Sequence, residues 1–235
     1  MDLSVVIPAY NEALRLGPTL QRVVEYLRLR GLRYEVLVVD DGSADATVEV
    51  AERFSGDGVR VLPQGVNRGK GAVLRVGVLA SRGREVLLMD ADLSTPIEEI
   101  EKLQPYLAKA PVVLGSRSVA GSDITQRQPF YREWMGRTFN LVIRMLGVRG
   151  LRDTQCGFKL LDGDVARQLF AELTIERFAY DVELVWLARQ HRYEVVEVGV
   201  RWADSASSRV NPLSDSSRML WDVLALRWRS WRRGR

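Results

Sequence analysis

Val86-Leu-Leu-Met-Asp-Ala-Asp92 is the stretch from which fold and chemistry can both be read. The apolar run Val86 to Met89 suits a strand buried on both faces, as the strands of parallel sheets are. Asp90, Ala91 and Asp92 then fall at the strand's carboxyl end, where open α/β sheets gather their ligands. Two carboxylates one residue apart on a tight turn repel each other. A divalent cation with oxygen ligands relieves the repulsion and keeps positions open for a diphosphate. Asp-x-Asp is also an ordinary surface turn, so the rest of the chain has to decide between the two.

Outward from that turn, the first half alternates between two periods. Leu3 to Ile7, Glu35 to Val39, Val59 to Leu62, Val86 to Met89 and Val112 to Leu114 read as short buried strands. Pro18 to Leu29, Ala44 to Phe54, Gly71 to Ala80 and Pro96 to Leu107 carry helical spacing, with Pro18 and Pro96 at helix starts and Gly31 just past an end. Strand alternating with helix predicts an α/β fold, a parallel sheet wrapped on both faces. Its ligand-facing loops are then Pro8-Ala-Tyr-Asn-Glu12, Asp40-Asp-Gly-Ser43, Asn67-Arg-Gly-Lys-Gly71, Asp90-Ala-Asp92 and Gly115-Ser-Arg117. Each loop alone has an ordinary turn reading; five polar loops on one sheet edge point to a site.

Composition narrows the chemistry. The 235 residues suffice for one large α/β domain, and 46% hydrophobic residues can fill its core without disulfides. One cysteine, Cys156, and one histidine, His191, argue against a disulfide framework, a Cys- or His-based metal site and a Ser-His-Asp triad. Cys156 is expected to be small and buried, and His191 to lie on the surface. Lysine occurs only at Lys70, Lys102, Lys109 and Lys159, so the net charge of +4 rests on arginine, which grips phosphate with two donors. Met1-Asp2-Leu3 leads directly into a strand without a basic leader, and the expectation is a cytosolic start. Arg144 and Arg227 interrupt the longest apolar runs, so no membrane-spanning segment is predicted. No nucleic-acid partner is expected, no oligomeric state is predicted, and a Ser-rich stretch around Ala203 to Ser208 reads as a mobile loop.

The motifs carry a resemblance. Ser4-Val-Val-Ile-Pro-Ala-Tyr-Asn-Glu12, Val39-Asp-Asp-Gly-Ser43, Asn67-Arg-Gly-Lys-Gly71 and Asp90-Ala-Asp92 resemble those of family 2 inverting glycosyltransferases, which use nucleotide sugars and have the GT-A fold. Arg152-Asp-Thr-Gln-Cys-Gly-Phe-Lys159 and Phe178-Ala-Tyr-Asp-Val-Glu-Leu184 are similar to the lipid-phosphate branch, the dolichyl-phosphate β-glucosyltransferases and their prokaryotic polyprenyl-phosphate relatives. The likeness runs from Ser4 to about Pro212. It implies a GT-A catalytic domain over residues 1–212, a Rossmann-like, mostly parallel sheet flanked by helices, followed by a basic amphipathic helix over 213–235.

By that resemblance, Pro8, Ala9, Tyr10, Glu12, Asp41, Lys70, Asp90, Ala91, Asp92 and Arg209 bind the nucleotide sugar. Asp90 and Asp92 hold Mg²⁺ or Mn²⁺, and Ser94 stands where some relatives have a Gln ligand. Asp92, Arg117, Arg132, Asp153 and Asp181 form the catalytic set: Arg117 and Arg132 hold the acceptor phosphate, while Asp153 and Asp181 position the sugar, act as weak bases or serve as structural hydrogen-bond acceptors. The implied reaction moves a hexose, glucose from UDP-glucose, onto a polyprenyl or dolichyl phosphate. A GDP-mannose-using enzyme and a family member with a soluble or glycan acceptor remain the alternatives.

The second half suggests where a lipid acceptor would come from. Over about 129–148 the spacing predicts a helix with a narrow polar stripe, Arg132, Gly136, Asn140 and Arg144, and an apolar remainder that includes Trp134, Phe139 and Ile143. The tail sets Leu220, Leu224, Trp228 and Trp231 against Arg218, Arg229 and Arg233. Both suit a membrane interface with anionic lipid, and the tail equally suits packing on the domain or a second subunit. The expected location is peripheral, on the cytoplasmic face of a membrane.

Overall fold

The computed structural model describes residues 1–126, 150–203 and 221–222. Seven strands form one sheet in the order β3-β2-β1-β4-β7-β5-β8. They are β1 (Leu3–Ala9), β2 (Tyr34–Asp40), β3 (Val59–Pro63), β4 (Glu85–Leu88), β5 (Val112–Ser116), β7 (Lys159–Asp162) and β8 (Val195–Gly199). Two short strands, β6 (Asp123–Gln126) and β9 (Arg201–Ala203), pair in parallel as a separate ribbon. The helices are α1 (Ala13–Leu29), α2 (Thr47–Glu52), α3 (Lys70–Ala80), α4 (Ile100–Leu107), α5 (Gly163–Glu172) and α6 (Tyr180–Gln190).

Alternation along the strands divides the core in two. Val6, Leu37, Val39, Val86, Leu88 and Leu114 point to one face with α3, α5 and α6; Val5, Ile7, Val36, Val38, Leu87 and Val113 point to the other with α1 and α4. With both faces apolar, helices must cover both, as the period of the sequence predicts. Among the described residues no helix is long and apolar enough to cross a membrane.

The sheet is mostly parallel, as expected, and two helix starts are corrected. Within the sheet β7 alone runs antiparallel, between β4 and β5, pairing Leu88 and Leu114 with the same residue, Lys159. Its four residues are too short for periodicity to mark. Pro18 lies inside α1, which starts at Ala13 because the Arg15 and Leu16 amides reach back to the Glu12 carbonyl, both at 2.9 Å. The amide that Pro18 lacks would have served Leu14, which is 94% exposed, so water can serve its carbonyl instead. Finally, α2 starts at Thr47, three residues later than predicted, because Asp45 turns the chain by accepting the Thr47 amide at 3.0 Å. The Ser-rich stretch beyond Ala203 and the helices predicted over about 129–148 and 213–235 lie outside the described residues, apart from 221–222.

Candidate active site

Because β1 to β5 and β8 share one direction, the loops after β1 to β5 meet at one edge, and antiparallel β7 begins there. Side chains brace these loops against one another. Asn11, held at φ 53°, receives the Ala44 amide on Oδ1 at 2.8 Å and donates its own amide to Ser43 Oγ at 2.8 Å. Asp41 accepts the Arg68 and Gly69 amides at 2.7 and 2.9 Å, fastening the third loop to the second. Gly69 adopts φ +112°, and a Cβ there would stand 2.7 Å from the Glu176 carbonyl, so only glycine fits. That carbonyl accepts the Ala72 amide at 2.9 Å, and the Glu183 carboxylate fixes the same loop through the amides of Thr174 and Ile175 at 2.9 and 2.6 Å. The result is a fixed start for α3 and its first residue, Lys70.

Charged pairs stand on this frame. Lys70 Nζ lies 2.5 Å from Asp90 Oδ1, while Asp92 accepts the Ser94 amide at 3.0 Å and faces Arg15 at 3.6 Å. Arg15 also pairs with Glu12. Across β7, Arg117 grips Asp153 with Nε at 2.7 Å and Nη2 at 2.8 Å, and its guanidinium lies over the Trp202 ring at 5.3 Å. Lys159, fully buried at the start of β7, donates to Asp181 and to the Cys156 carbonyl, both at 2.5 Å.

The titrations follow from these neighbours. Burial pushes the Asp90 carboxyl up, but Lys70, then Lys159 and Arg117, hold it below the usual carboxylate range. Asp153 is likewise raised by burial and brought below that range by Arg117. At Asp181 burial wins over Lys159 and Lys70, and its carboxyl stays raised. Burial also raises the Tyr180 hydroxyl; among the described residues it makes no hydrogen bond of standard geometry, although Asp181 beside it adds to the shift.

Asp90 and Asp92 suit a hard divalent cation, since both are carboxylates and Asp90 already holds an ammonium in a cation's place. A Cβ on Gly157 would sit 2.1 Å from Asp90 Oδ2, so glycine is what lets this carboxylate lie against the turn before β7. Among the described residues no cluster of three or more His, Cys, Asp or Glu forms.

The sequence profile of glycosyl transferase family 2 matches residues 4–170 of this fold. The chain belongs to glycosyl transferase family 2. Its relatives in the family include the dolichyl-phosphate beta-glucosyltransferase of Dictyostelium discoideum, 35% identical over 97% of this chain and 74% of the relative. The enzyme of the same name from Mus musculus is 38% identical over 97% of this chain and 75% of its own length. Glucosyl-3-phosphoglycerate synthase from Mycobacterium tuberculosis, solved with Mn²⁺, UDP and phosphoglyceric acid, is 20% identical. It superposes with a TM-score of 0.68 over 95% of this chain and 76% of that one, a likeness of fold alone.

Within this family 2 transferase, Pro8, Ala9, Tyr10, Glu12, Asp41, Lys70, Asp90, Ala91, Asp92 and Arg117 all lie at the carboxyl edge of the sheet, with Asp153 and Asp181 beneath it. Tyr10 is 39% exposed there, whereas Ala91 is buried and its carbonyl accepts the Thr19 hydroxyl at 2.7 Å. Arg132 and Arg209 lie outside the described residues; the segments that carry them follow Gln126 and Ala203, register partners in the β6-β9 ribbon. Three contributors escaped the sequence reading. Lys159 and Gly157 both stand in the Arg152 to Lys159 motif, and the signal was there, since a lysine beside a buried strand needs a carboxylate partner. Asp40 is the third: one of its oxygens accepts the Gly42 and Ser43 amides at 3.1 Å, and among the described residues Oδ1 is buried with no partner, which its place beside Asp41 did not reveal.

Proposed function

We propose that this chain is an inverting hexosyltransferase that moves glucose from UDP-glucose onto a polyprenyl or dolichyl phosphate at a membrane surface, with Mg²⁺ or Mn²⁺ held by Asp90 and Asp92. The carrying observation is that Asp90 and Arg117 follow the two strands flanking the start of β7, so a carboxylate pair and a fixed guanidinium face one edge from either side of Lys159. The acceptor class is supported by the relatives' names and the donor by UDP in the structural relative.

The chemistry follows from these groups. The acceptor phosphate oxygen bonds to the sugar's anomeric carbon as the bond from that carbon to the diphosphate breaks. A bound divalent ion supplies Lewis-acid stabilisation of the leaving diphosphate. The nucleophile needs little help, since a phosphate monoester with a second pKa of about 6 is largely ionised at neutral pH. Arg117 therefore serves to orient it: Asp153 fixes Nε and Nη2, and among the described residues Nη1 remains for a phosphate oxygen. Asp153 and Asp181, each held by a cation, orient Arg117 and Lys159. The buried Asp40 Oδ1 is an acceptor for a donor N–H or hydroxyl, alongside Tyr10 and Glu12.

Arg132 as a second hand on the acceptor, Arg209 on the donor phosphates, the catalytic domain over 1–212 and the interfacial helices over about 129–148 and 213–235 belong to the same proposal, as does the cytoplasmic face. A panel of nucleotide sugars with a short polyprenyl phosphate, read by mass spectrometry, tests it. UDP-glucose with Mg²⁺ or Mn²⁺ should give glucosyl phospholipid, and Asp92→Ala should give none while keeping the wild-type fold by circular dichroism. Full turnover in that variant would remove the metal from the proposal. Flotation with anionic liposomes tests the membrane part.

A further inference from the structure

Two lysine-aspartate pairs and two arginine-aspartate pairs meet at this site, and besides the looser Arg15-Asp92 contact at 3.6 Å the other three differ in kind. Arg117 and Asp153 are joined at two points with the carboxylate 1% exposed, and Lys159 and Asp181 are sealed at 0% and 8%. The Lys70-Asp90 pair is half-buried, less enclosed than the other two at 20% and 36%, and rests on one contact between Nζ and Oδ1. A single-point contact through a flexible four-carbon stem is the kind that another ion can displace.

We propose that Lys70 is a displaceable counter-ion that makes the binding of divalent metal and of nucleoside diphosphate depend on each other. This rests on the metal reading of Asp90. The ammonium occupies the carboxylate oxygen at 2.5 Å, within about the distance at which a hard divalent ion would sit, and like charges on one oxygen repel. Metal entering the free protein must therefore expel Lys70. The anions within its electrostatic reach, Asp92 and Asp181, are already engaged by the Ser94 amide with Arg15 and by Lys159. Displacement without nucleotide leaves the ammonium poorly compensated. A diphosphate brings unpaired negative charge to the same edge, so the freed lysine acquires a partner as the metal takes its place. Each ligand then strengthens the other by the same factor, as linkage requires.

Equilibrium dialysis of the full chain against Mn²⁺, with and without UDP at matched free Mn²⁺, tests this in the wild type, Lys70→Met and Lys70→Gln, with circular dichroism confirming the fold of each. In the wild type UDP should raise Mn²⁺ affinity about tenfold or more, within the usual range of coupling. Removing the lysine should tighten Mn²⁺ binding without UDP by several-fold and shrink the gain that UDP brings. Unchanged or weaker Mn²⁺ binding in both variants without UDP overturns the counter-ion role. If the wild type takes up no Mn²⁺ even with UDP, the metal reading itself fails, a result distinct from the first. The paired variants serve even if one substitution disturbs α3, since Lys70→Met keeps the length of an unbranched side chain and Lys70→Gln keeps a polar end on a shorter stem.

Discussion

Asp153 and Arg117 are joined at both prongs, Nε to Oδ2 at 2.7 Å and Nη2 to Oδ1 at 2.8 Å, and the Arg117 amide closes on the same carboxylate at 2.9 Å. The carboxylate is itself held from behind, because the Arg152 and Asp153 amides both donate to Glu197 at 2.7 Å. The direction of the guanidinium is thereby set by β8 as well as by the turn before β7.

Removing the Asp153 carboxylate strands a cation that burial has already desolvated, so Asp153→Ala should destabilise the fold by about 3–5 kcal/mol. The pH dependence has a definite sign. Arg117 holds the Asp153 carboxyl below its ordinary value of 3.8 against the effect of burial, so this stability is present above that value and drains away as pH falls through the lower, folded value. Denaturant midpoints should fall in acid below about pH 4 for the wild type and more gently for Asp153→Asn. Equal slopes would contradict the assignment.

Arg117→Lys keeps the charge and loses the two-pronged grip. KM for the polyprenyl phosphate should rise about tenfold or more, while UDP binding by calorimetry stays within about twofold. Equal losses of donor and acceptor binding would show that Arg117 serves the site as a whole.

At Gly157 the smallest substitution is informative. The Cβ of Gly157→Ala would press on Asp90 Oδ2 from 2.1 Å, so Mn²⁺-dependent UDP binding should weaken about tenfold. Gly56→Ala, where a Cβ would meet nothing within 4 Å, should leave it unchanged.

Lys159 is 0% exposed and bonded to Asp181 at 2.5 Å. Lys159→Met leaves that carboxylate buried and unpaired, at a cost of about 3–5 kcal/mol, and adding Asp181→Leu should restore part of the loss. Thermal unfolding of the two variants decides: a double variant less stable than the single would mean that Asp181 has another partner.

Much of this was legible in the sequence because strands buried on both faces are written as apolar runs, and the five loops that follow them could be placed on one edge from period alone. What was not legible depended on contacts distant along the chain. Nothing local in Lys159-Leu-Leu-Asp162 says that it enters antiparallel between β4 and β5, and nothing in Asp153 says that its partner is Arg117. The Asp41 carboxylate, expected at the nucleotide sugar, also accepts the Arg68 and Gly69 amides, and among the described residues its neighbour Asp40 has a buried oxygen without a partner. Period finds the edge of the sheet; it does not tell which partners two adjacent buried acids will take.

The insertion of β7 also bears on how the protein comes into being at the ribosome. β4 and β5 are neighbours of β7 and not of each other, so a nascent chain that has exposed only its first half carries the β3-β2-β1-β4 sheet and, across an unfilled slot, β5 with neither of its neighbours, β7 and β8. Asp90 lies on one side of that slot and Arg117 on the other. Catalytic competence therefore arrives late in synthesis, after β7 has closed the gap and Asp181 and Glu197 have followed to hold Lys159 and the turn of Asp153, and arrests short of β7 should yield chains with both half-sites and no activity.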